Sequence, residues 1–124
     1  MEQYKNLNKQ YISGEWRDGT GQSRYKDKNP YNEEVLAEFK MAGIEDVKEA
    51  YESARKAQKE WENVNPFERS TIMENAVRIM SERRKELVEL LVTESGSTHI
   101  KANVEVDFCI AITRESASFP LRMD

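Results

Sequence analysis

The spacing of apolar residues along the chain changes near residue 44. Before that point Val35, Ala37 and Phe39 alternate with their neighbours, and this period of two predicts a half-buried strand over residues 35–40. After it, apolar residues recur three or four positions apart, which predicts an amphipathic helix. The apolar positions of that helix are Val47, Ala50, Tyr51, Ala54, Ala57 and Trp61.

Turn residues divide the N-terminal part into short extended segments. Gly14 and the cluster at residues 18–21 separate aromatic segments and predict a small β-hairpin. Residues 29–32 contain a proline and predict a second turn, in which Asn32 tolerates left-handed backbone geometry. Residues 1–10 are polar, and we expect them to form a flexible arm.

Start and stop signals mark the first two helices. Gly43 is the predicted N-cap of the first helix, and Asp46 lies in its first turn, where a carboxylate offsets the helix dipole. Residues 63–65 end this helix. Asn65 then caps the second helix, with Pro66 in the first helical position.

Similar signals predict two further helices. A charged stretch separates two apolar faces, so we expect a helix break near residues 81–84. Gly96 can close the third helix in a left-handed conformation, and Ser97 or Thr98 can cap the fourth. The fourth helix carries its apolar stripe at Ile100, Val104, Phe108, Ala111 and Ile112.

These elements predict an α+β, mostly helical fold. Short N-terminal strands or a hairpin with their turns occupy residues 11–40, and about four helices follow over residues 44–119. Only 38% of the 124 residues are apolar and 34% are charged, which is a thin supply for a core that stands alone.

Charge and hydropathy limit the partners open to the chain. The net charge is −4 and the two signs are interspersed, which does not suit a nucleic-acid surface. No apolar run approaches the roughly 20 residues of a membrane span. We therefore expect a cytoplasmic protein with neither nucleic acid nor a membrane as a partner.

The sequence contains no clustered set of reactive side chains. Cys109 is the only thiol, and its place on a predicted helix favours a buried inert thiol over a nucleophile. We interpret His99 as a surface histidine and not a general base. The acidic pairs, Glu45 and Asp46 among them, lie in charged surface patterns without the apolar pocket that acid–base catalysis needs. We expect core or interface packing for the aromatic residues Trp16, Tyr25, Tyr31 and Trp61.

An ordered set of short motifs runs through the chain. Residues 12–16 read Ile-Ser-Gly-Glu-Trp, residues 66–69 read Pro-Phe-Glu-Arg, and residues 105–108 read Glu-Val-Asp-Phe. In order and spacing, the set resembles the N-terminal segment of the aldehyde dehydrogenase superfamily over residues 11 to about 119. Residues 94–98, Glu-Ser-Gly-Ser-Thr, are similar to the branch that acts on aromatic aldehydes such as benzaldehyde and vanillin.

The resemblance implies part of an enzyme that oxidises aldehydes to carboxylates. In the family a Cys thiolate attacks the carbonyl, hydride passes to NAD or NADP, and a Glu-activated water hydrolyses the thioester. These groups and the dinucleotide-binding loop belong downstream of the segment that this chain resembles, and Cys109 does not match the nucleophile position. We therefore expect residues 11–124 to be the N-terminal segment of an NAD(P)-dependent aldehyde dehydrogenase, inactive alone, with no catalytic or cofactor-binding residue and no cofactor of its own.

Two further sites are implied by the resemblance. In relatives the helix that matches residues 100–119 lines the mouth of the substrate tunnel, which implies a tunnel-wall role for Val104 and Phe108, with plain helix packing as the alternative. Some relatives hold a structural cation with a carboxylate equivalent to Glu94 and a backbone carbonyl at the position of Lys28. Hard cations prefer several oxygen ligands, so these two need a third from outside the chain.

Two hypotheses about function remain open at this point. The first is the aldehyde dehydrogenase segment, whose partners are the remainder of that chain and, in the full enzyme, the aldehyde substrate. The second is a non-enzymatic helical protein-interaction module. Under the first hypothesis uncovered apolar helix faces predict self-association of the isolated chain, and we expect a homo-oligomer.

Overall fold

The computed structural model describes residues 8–122. It confirms the predicted order of short antiparallel strands followed by four helices. The elements are β1 (Gln10–Ile12), β2 (Glu15–Arg17), β3 (Arg24–Lys28), β4 (Val35–Lys40), α1 (Ile44–Glu62), α2 (Pro66–Glu82), α3 (Arg84–Ser95), α4 (His99–Ser118) and a short 3-10 helix, Phe119–Leu121.

The chain divides after Glu60 into two compact units, called here the first and the second unit. The first contains the strands and most of α1, and the second contains α2, α3, α4 and the 3-10 helix. The predicted flexible arm lies largely outside the described residues, because residues 1–7 are not described. Its last residue, Gln10, already belongs to β1. None of the helices between residues 8 and 122 combines the length and apolar composition of a bilayer span.

The first unit contains two antiparallel ribbons and therefore one hairpin more than the sequence predicted. β1 pairs with β2, and the connecting residues Ser13 and Gly14 have φ angles of 54° and 88°. Two successive positive φ angles match the twist of a tight hairpin, and Gly14 adopts its angle without steric cost. Tyr11 and Trp16 face each other across this ribbon, with ring centroids 5.1 Å apart.

The second ribbon pairs β3 with β4, and its connection corrects one detail of the prediction. The turn is present, with the side chains of Asn29 and Asn32 accepting hydrogen bonds from the N–H groups of Tyr31 and Glu34. The residue with positive φ is Glu33, at 60°, and not Asn32. The reason is that Asn32 uses its side chain to fix the backbone that follows it.

The face of β4 that is buried also differs from the apolar alternation. Leu36 is the buried residue of the strand, whereas Val35 is 45% exposed. A ribbon of only two strands has no second layer that must cover the face with Val35, Ala37 and Phe39, so this more apolar face of β4 can stay partly exposed within the first unit.

The helix ends agree with the sequence signals. The side chain of Asn65 accepts a hydrogen bond from the N–H of Phe67 at 2.9 Å, and α2 begins at Pro66. Gly96 closes α3 in the left-handed conformation, with φ 64°. Thr98 caps α4 by accepting from the N–H of Lys101. The predicted break between α2 and α3 is a single residue, which is Arg83.

The core of the second unit lies where α3 packs against α4. Val88, Ala102 and Val106 form its buried cluster, and Ala102 has no exposed surface. The predicted stripe of α4 lies outside this core, since Ile100 is 81% exposed and Phe108 is 63% exposed. Ala102 and Val106 of α4 therefore belong to the core with α3, whereas Ile100 and Phe108 of the same helix face outward.

The aromatic residues expected in a core or interface are not in a core. Trp16, Tyr25, Tyr31 and Trp61 are all exposed, and Tyr31 is 93% exposed. Trp16 and Tyr25 lie on two-stranded ribbons, which cannot enclose side chains of this size, and each forms an aromatic pair with a residue of the neighbouring strand. Interface packing of these residues stays a prediction.

Candidate functional site

The most constrained side chain of the first unit is Asp46. It lies in the first turn of α1 and is only 1% exposed. Its Oδ2 atom accepts three hydrogen bonds, from the N–H of Thr20 at 2.6 Å, the hydroxyl of Thr20 at 2.8 Å and the N–H of Gly43 at 2.8 Å. Asp46 therefore ties the start of α1 to the loop that follows β2.

Two charged groups complete this cluster. The guanidinium of Arg17 contacts Oδ1 of Asp46 at 3.4 Å and Oε2 of Glu49 at 2.5 Å. Glu49 also accepts a hydrogen bond from the hydroxyl of Ser13 at 3.0 Å. The hydrogen bond with Glu49 raises the pKa of Arg17, and the same bond lowers the pKa of Glu49.

The hydrogen bonds to Asp46 decide its protonation state. The N–H of Thr20 has the largest effect, followed by the N–H of Gly43 and the hydroxyl of Thr20, and they lower the pKa of Asp46 from 3.8 to about 2. A carboxylate held by three donors at that pKa stays ionised at neutral pH and is a poor proton donor. The cluster therefore has a structural role and does not act as an acid–base pair.

The burial of Asp46 contradicts the expectation that it belongs to a charged surface pattern. The other parts of the expectation are correct. Asp46 lies at the positive end of the helix dipole, and Glu45 beside it is exposed. One signal in the sequence is an acidic residue three positions after Gly43, which is the spacing at which a side chain reaches back to the cap N–H.

Glycines allow the loop to approach the residues before α1. A Cβ atom added at Gly19 would collide with the carbonyl oxygen of Met41, and one added at Gly43 would collide with the hydroxyl of Thr20. The N–H of Gly21 donates to the same Met41 carbonyl at 3.0 Å. The backbone of residues 19–21 therefore lies directly against residues 41–43, which leaves no room for a side chain at Gly19 or Gly43.

Cys109, in the second unit, is exposed, which contradicts the prediction of a buried thiol. Its thiol lies 3.8 Å from the sulfur of Met80 and lines an apolar groove of about 400 Å³ between α2, α3 and α4. The sequence pattern missed this because the exposure of Cys109 depends on how far α2 and α3 cover α4. We call this cavity the Cys109 groove; it is lined by Met80, Leu87, Leu90, Leu91, Glu105, Val106 and Cys109.

The two tunnel-wall candidates lie together on α4. Val104 and Phe108 are four positions apart, which places them on one face of the helix, and they are 46% and 63% exposed. Neither residue lines the Cys109 groove. A tunnel-wall role for them stays a prediction.

The cation-site candidates are placed in different units. Lys28 is the last residue of β3 in the first unit, and Glu94 lies in the last turn of α3 in the second. Among residues 8–122, no group of three or more His, Cys, Asp or Glu side chains could hold a metal ion. The cation site stays a prediction. His99 is exposed at the start of α4, as expected.

Comparison with known proteins decides the family. The sequence model of the aldehyde dehydrogenase family matches residues 16–124. The chain belongs to the aldehyde dehydrogenase family.

Two similar relatives act, by name, on aromatic aldehydes. Benzaldehyde dehydrogenase YfmT of Bacillus subtilis is 41% identical over 124 residues, which are 100% of this chain and 26% of that protein. Vanillin dehydrogenase of Corynebacterium glutamicum is 47% identical over 115 residues, which are 93% of this chain and 24% of the relative. The chain thus spans about a quarter of the length of these relatives.

Solved structures give the same result. The crystal structure of an NAD-dependent benzaldehyde dehydrogenase from Corynebacterium glutamicum matches 93% of this chain and 25% of its own, with 47% identity and a TM-score of 0.90. A betaine aldehyde dehydrogenase from Staphylococcus aureus, crystallised with NAD+, matches 90% of this chain and 23% of its own, with 26% identity and a TM-score of 0.83. This aldehyde dehydrogenase chain therefore adopts the fold of a quarter of those enzymes.

Proposed function

We propose that this chain is the N-terminal, scaffold-forming part of an NAD(P)-dependent aldehyde dehydrogenase that oxidises aromatic aldehydes to carboxylates. The observation that carries the proposal is the 41% identity over the whole chain to a benzaldehyde dehydrogenase of which it covers 26%. The benzaldehyde dehydrogenase from Corynebacterium glutamicum, whose crystal structure contains the fold of this chain, is NAD-dependent. This favours NAD over NADP as the cofactor.

The chemistry of the described residues supports a role as scaffold. The Oδ2 atom of Asp46 already accepts three hydrogen bonds, and these lower the pKa of the carboxyl to about 2, so Asp46 is a poor base for a substrate proton. Cys109 lies beside the thioether of Met80, and the residues that line its groove include no histidine and no cationic side chain of the kind that activates a thiol nucleophile. Under this proposal the reactive groups belong to the other three quarters of the enzyme.

A chimera tests the proposal. The matched quarter of benzaldehyde dehydrogenase YfmT is replaced by this chain, and formation of reduced nicotinamide from NAD and benzaldehyde is followed by absorbance. We expect the chimera to turn over and the isolated chain to give no signal above background. Turnover by the isolated chain, or a soluble, folded chimera without activity, would refute the proposed function.

The tunnel-wall role is tested in the same chimera at Phe108. We propose that this ring, with Val104, contacts the aldehyde, so Phe108→Ala should raise KM for benzaldehyde about tenfold while kcat changes less. Ile100→Ala serves as the matched control, because Ile100 lies on the same stripe of α4 and is 81% exposed. An equal change in KM for both variants would indicate plain helix packing.

A further inference from the structure

The side chain of Arg84, the first residue of α3, is bonded to α4. Its Nη1 atom donates to Oδ1 of Asp107, and its Nη2 atom donates to Oδ2 of the same carboxylate at 3.1 Å. Nη2 also donates to the backbone oxygen of Asn103 at 3.3 Å and to its Oδ1 atom at 3.0 Å. These four hydrogen bonds, called here the Arg84 fork, therefore end on two residues of α4 that are one turn apart.

The two residues that accept from the Arg84 fork are the sequence neighbours of the tunnel-wall candidates. Val104 follows Asn103, and Phe108 follows Asp107. The two pairs form adjacent rows along α4, about 100° apart around the helix axis. Because all four residues belong to one continuous helix, a contact that fixes the first row also fixes where the second row lies.

Arg84 is itself held in place by the packing of α3. It lies one turn before Val88, which is buried with Ala102 and Val106 in the core between α3 and α4. Apolar packing of this kind is non-directional. A planar guanidinium that bonds a carboxylate through two nitrogens is directional. The fork therefore adds to the core a contact that resists sliding and rotation of α4 against α3.

The exposure of the ion pair favours a geometric role over a stabilising one. The side chains of Arg84 and Asp107 are 34% and 65% exposed. Ion pairs in contact with solvent contribute little to the free energy of unfolding. The main effect of the fork is therefore on the placement of α4 and not on whether the second unit folds.

We propose that Arg84 is a positioning residue for the aldehyde site. It sets the placement of Val104 and Phe108 and, through these side chains, the affinity for the aldehyde. The inference rests on the proposed function, in which the same two side chains contact the aldehyde. Loss of the fork displaces the ring of Phe108, which weakens aldehyde binding more than it slows the chemical step.

Substitutions at two adjacent arginines test this role in the YfmT chimera. Arg84→Ala should raise KM for benzaldehyde about fivefold, while kcat stays within about twofold. Arg84→Lys should raise KM nearly as much, because one ammonium group cannot replace the fork. Arg83→Ala is the matched control, since the guanidinium of Arg83 pairs with Glu86 in α3 itself, and its KM should stay unchanged.

A double substitution separates positioning from a general structural role. If Arg84 acts through the ring of Phe108, Arg84→Ala should change KM by less than about twofold in a chimera that already carries Phe108→Ala. A general loss of structure would instead raise KM by the same factor in both backgrounds. That result would overturn the inference.

Fluorine NMR provides a measurement that needs no turnover. With para-fluorophenylalanine incorporated at residue 108 of the chimera, the fluorine resonance should shift on Arg84→Ala and stay in place on Arg83→Ala. If the chimera with Arg84→Ala is insoluble, Asp107→Asn weakens the fork from the side of α4, and the same shift and the same rise in KM are expected.

The outcomes separate this inference from the proposed function. A chimera that turns over benzaldehyde, with KM and the fluorine resonance unchanged by Arg84→Ala, overturns the positioning role and leaves the function standing. A folded chimera without turnover refutes the function, and the fluorine resonance then decides the placement of Phe108. A shift confined to the Arg84 variant supports positioning by Arg84, and an unchanged resonance overturns it.

Discussion

Each of the two units is stabilised internally by a different kind of interaction. In the first, a buried carboxylate, Asp46, accepts hydrogen bonds from a loop 26 residues earlier and from the residue before α1. In the second, small apolar residues of α4 pack against α3 around Val88. The first unit therefore depends on ionisation and the second on shape, so acid and side-chain volume should affect them separately.

The two units also differ in the apolar surface that they leave open. The ribbons of the first unit carry their aromatic pairs on exposed faces. The second unit turns a whole stripe of α4 outward and keeps an open groove beside it. Seven apolar residues are buried among residues 8–122, against 19 large apolar side chains that are exposed. Both units thus have the surface expected of a part of a larger protein.

The largest expected effect breaks the first unit at Asp46. Asp46→Ala removes three hydrogen-bond acceptor contacts and leaves the N–H groups of Thr20 and Gly43 without a partner. Amide hydrogen exchange near residues 17–21 and 43–47 should become on the order of 100-fold faster, while exchange in the core of α4 stays unchanged.

Glu45→Ala is the control for this substitution. Glu45 is adjacent and exposed, and its ion pair is with Lys48, so exchange should change less than about threefold. Equal effects of the two substitutions, or a matching acceleration in α4, would contradict the role assigned to Asp46.

The second prediction concerns acid and follows from the lowered pKa of Asp46. The group has an ordinary pKa of 3.8 and a folded pKa of about 2. Its stabilising contribution is therefore fully present above the ordinary value and is lost as pH falls through about 2. Exchange in the first unit should accelerate between pH 4 and 2 relative to Asp46→Asn, and parallel curves for the two proteins would count against it.

The third prediction tests shape in the second unit. Ala102 has no exposed surface, so Ala102→Leu should overpack the α3–α4 contact and lower the free energy of unfolding by about 2 kcal/mol. Ala111→Leu adds the same atoms at an exposed position of the same helix and should change it by less than about 0.5 kcal/mol. Urea unfolding followed by circular dichroism gives both values, and equal losses would refute the assigned core.

The smallest effect concerns the end of α3. Gly96 has a φ of 64°, so Gly96→Ala should cost about 1 kcal/mol in the same urea experiment, because an L residue with a Cβ is strained there. Gly96→Asn should cost less, since asparagine tolerates this region better than alanine. The reverse order of the two variants would contradict the left-handed cap.

The helical part could be predicted because its signals are local. Asn65, Gly96 and Thr98 satisfy or close helix ends within three residues of their own positions, and each has the predicted role. The family could be predicted from the order of short motifs along the chain. These features need no knowledge of how distant segments meet.

The missed features depend on distant contacts. Asp46 is buried because Thr20, 26 residues earlier, reaches it, and no spacing rule for helices contains that pairing. Cys109 is exposed because α2 and α3 leave one flank of α4 open, although its apolar neighbours suggested burial. For Val104 and Phe108 the shared helix face was predictable, and their tunnel-wall role stays a prediction.

The central proposal is that this chain serves as a structural quarter of an aldehyde dehydrogenase whose reactive groups belong to the other three quarters. The most direct test compares the rate of reduced nicotinamide formation from NAD and benzaldehyde for the YfmT chimera and for the isolated chain. The account predicts turnover by the chimera and none by the isolated chain. A folded chimera without turnover, or oxidation by the isolated chain, would contradict it.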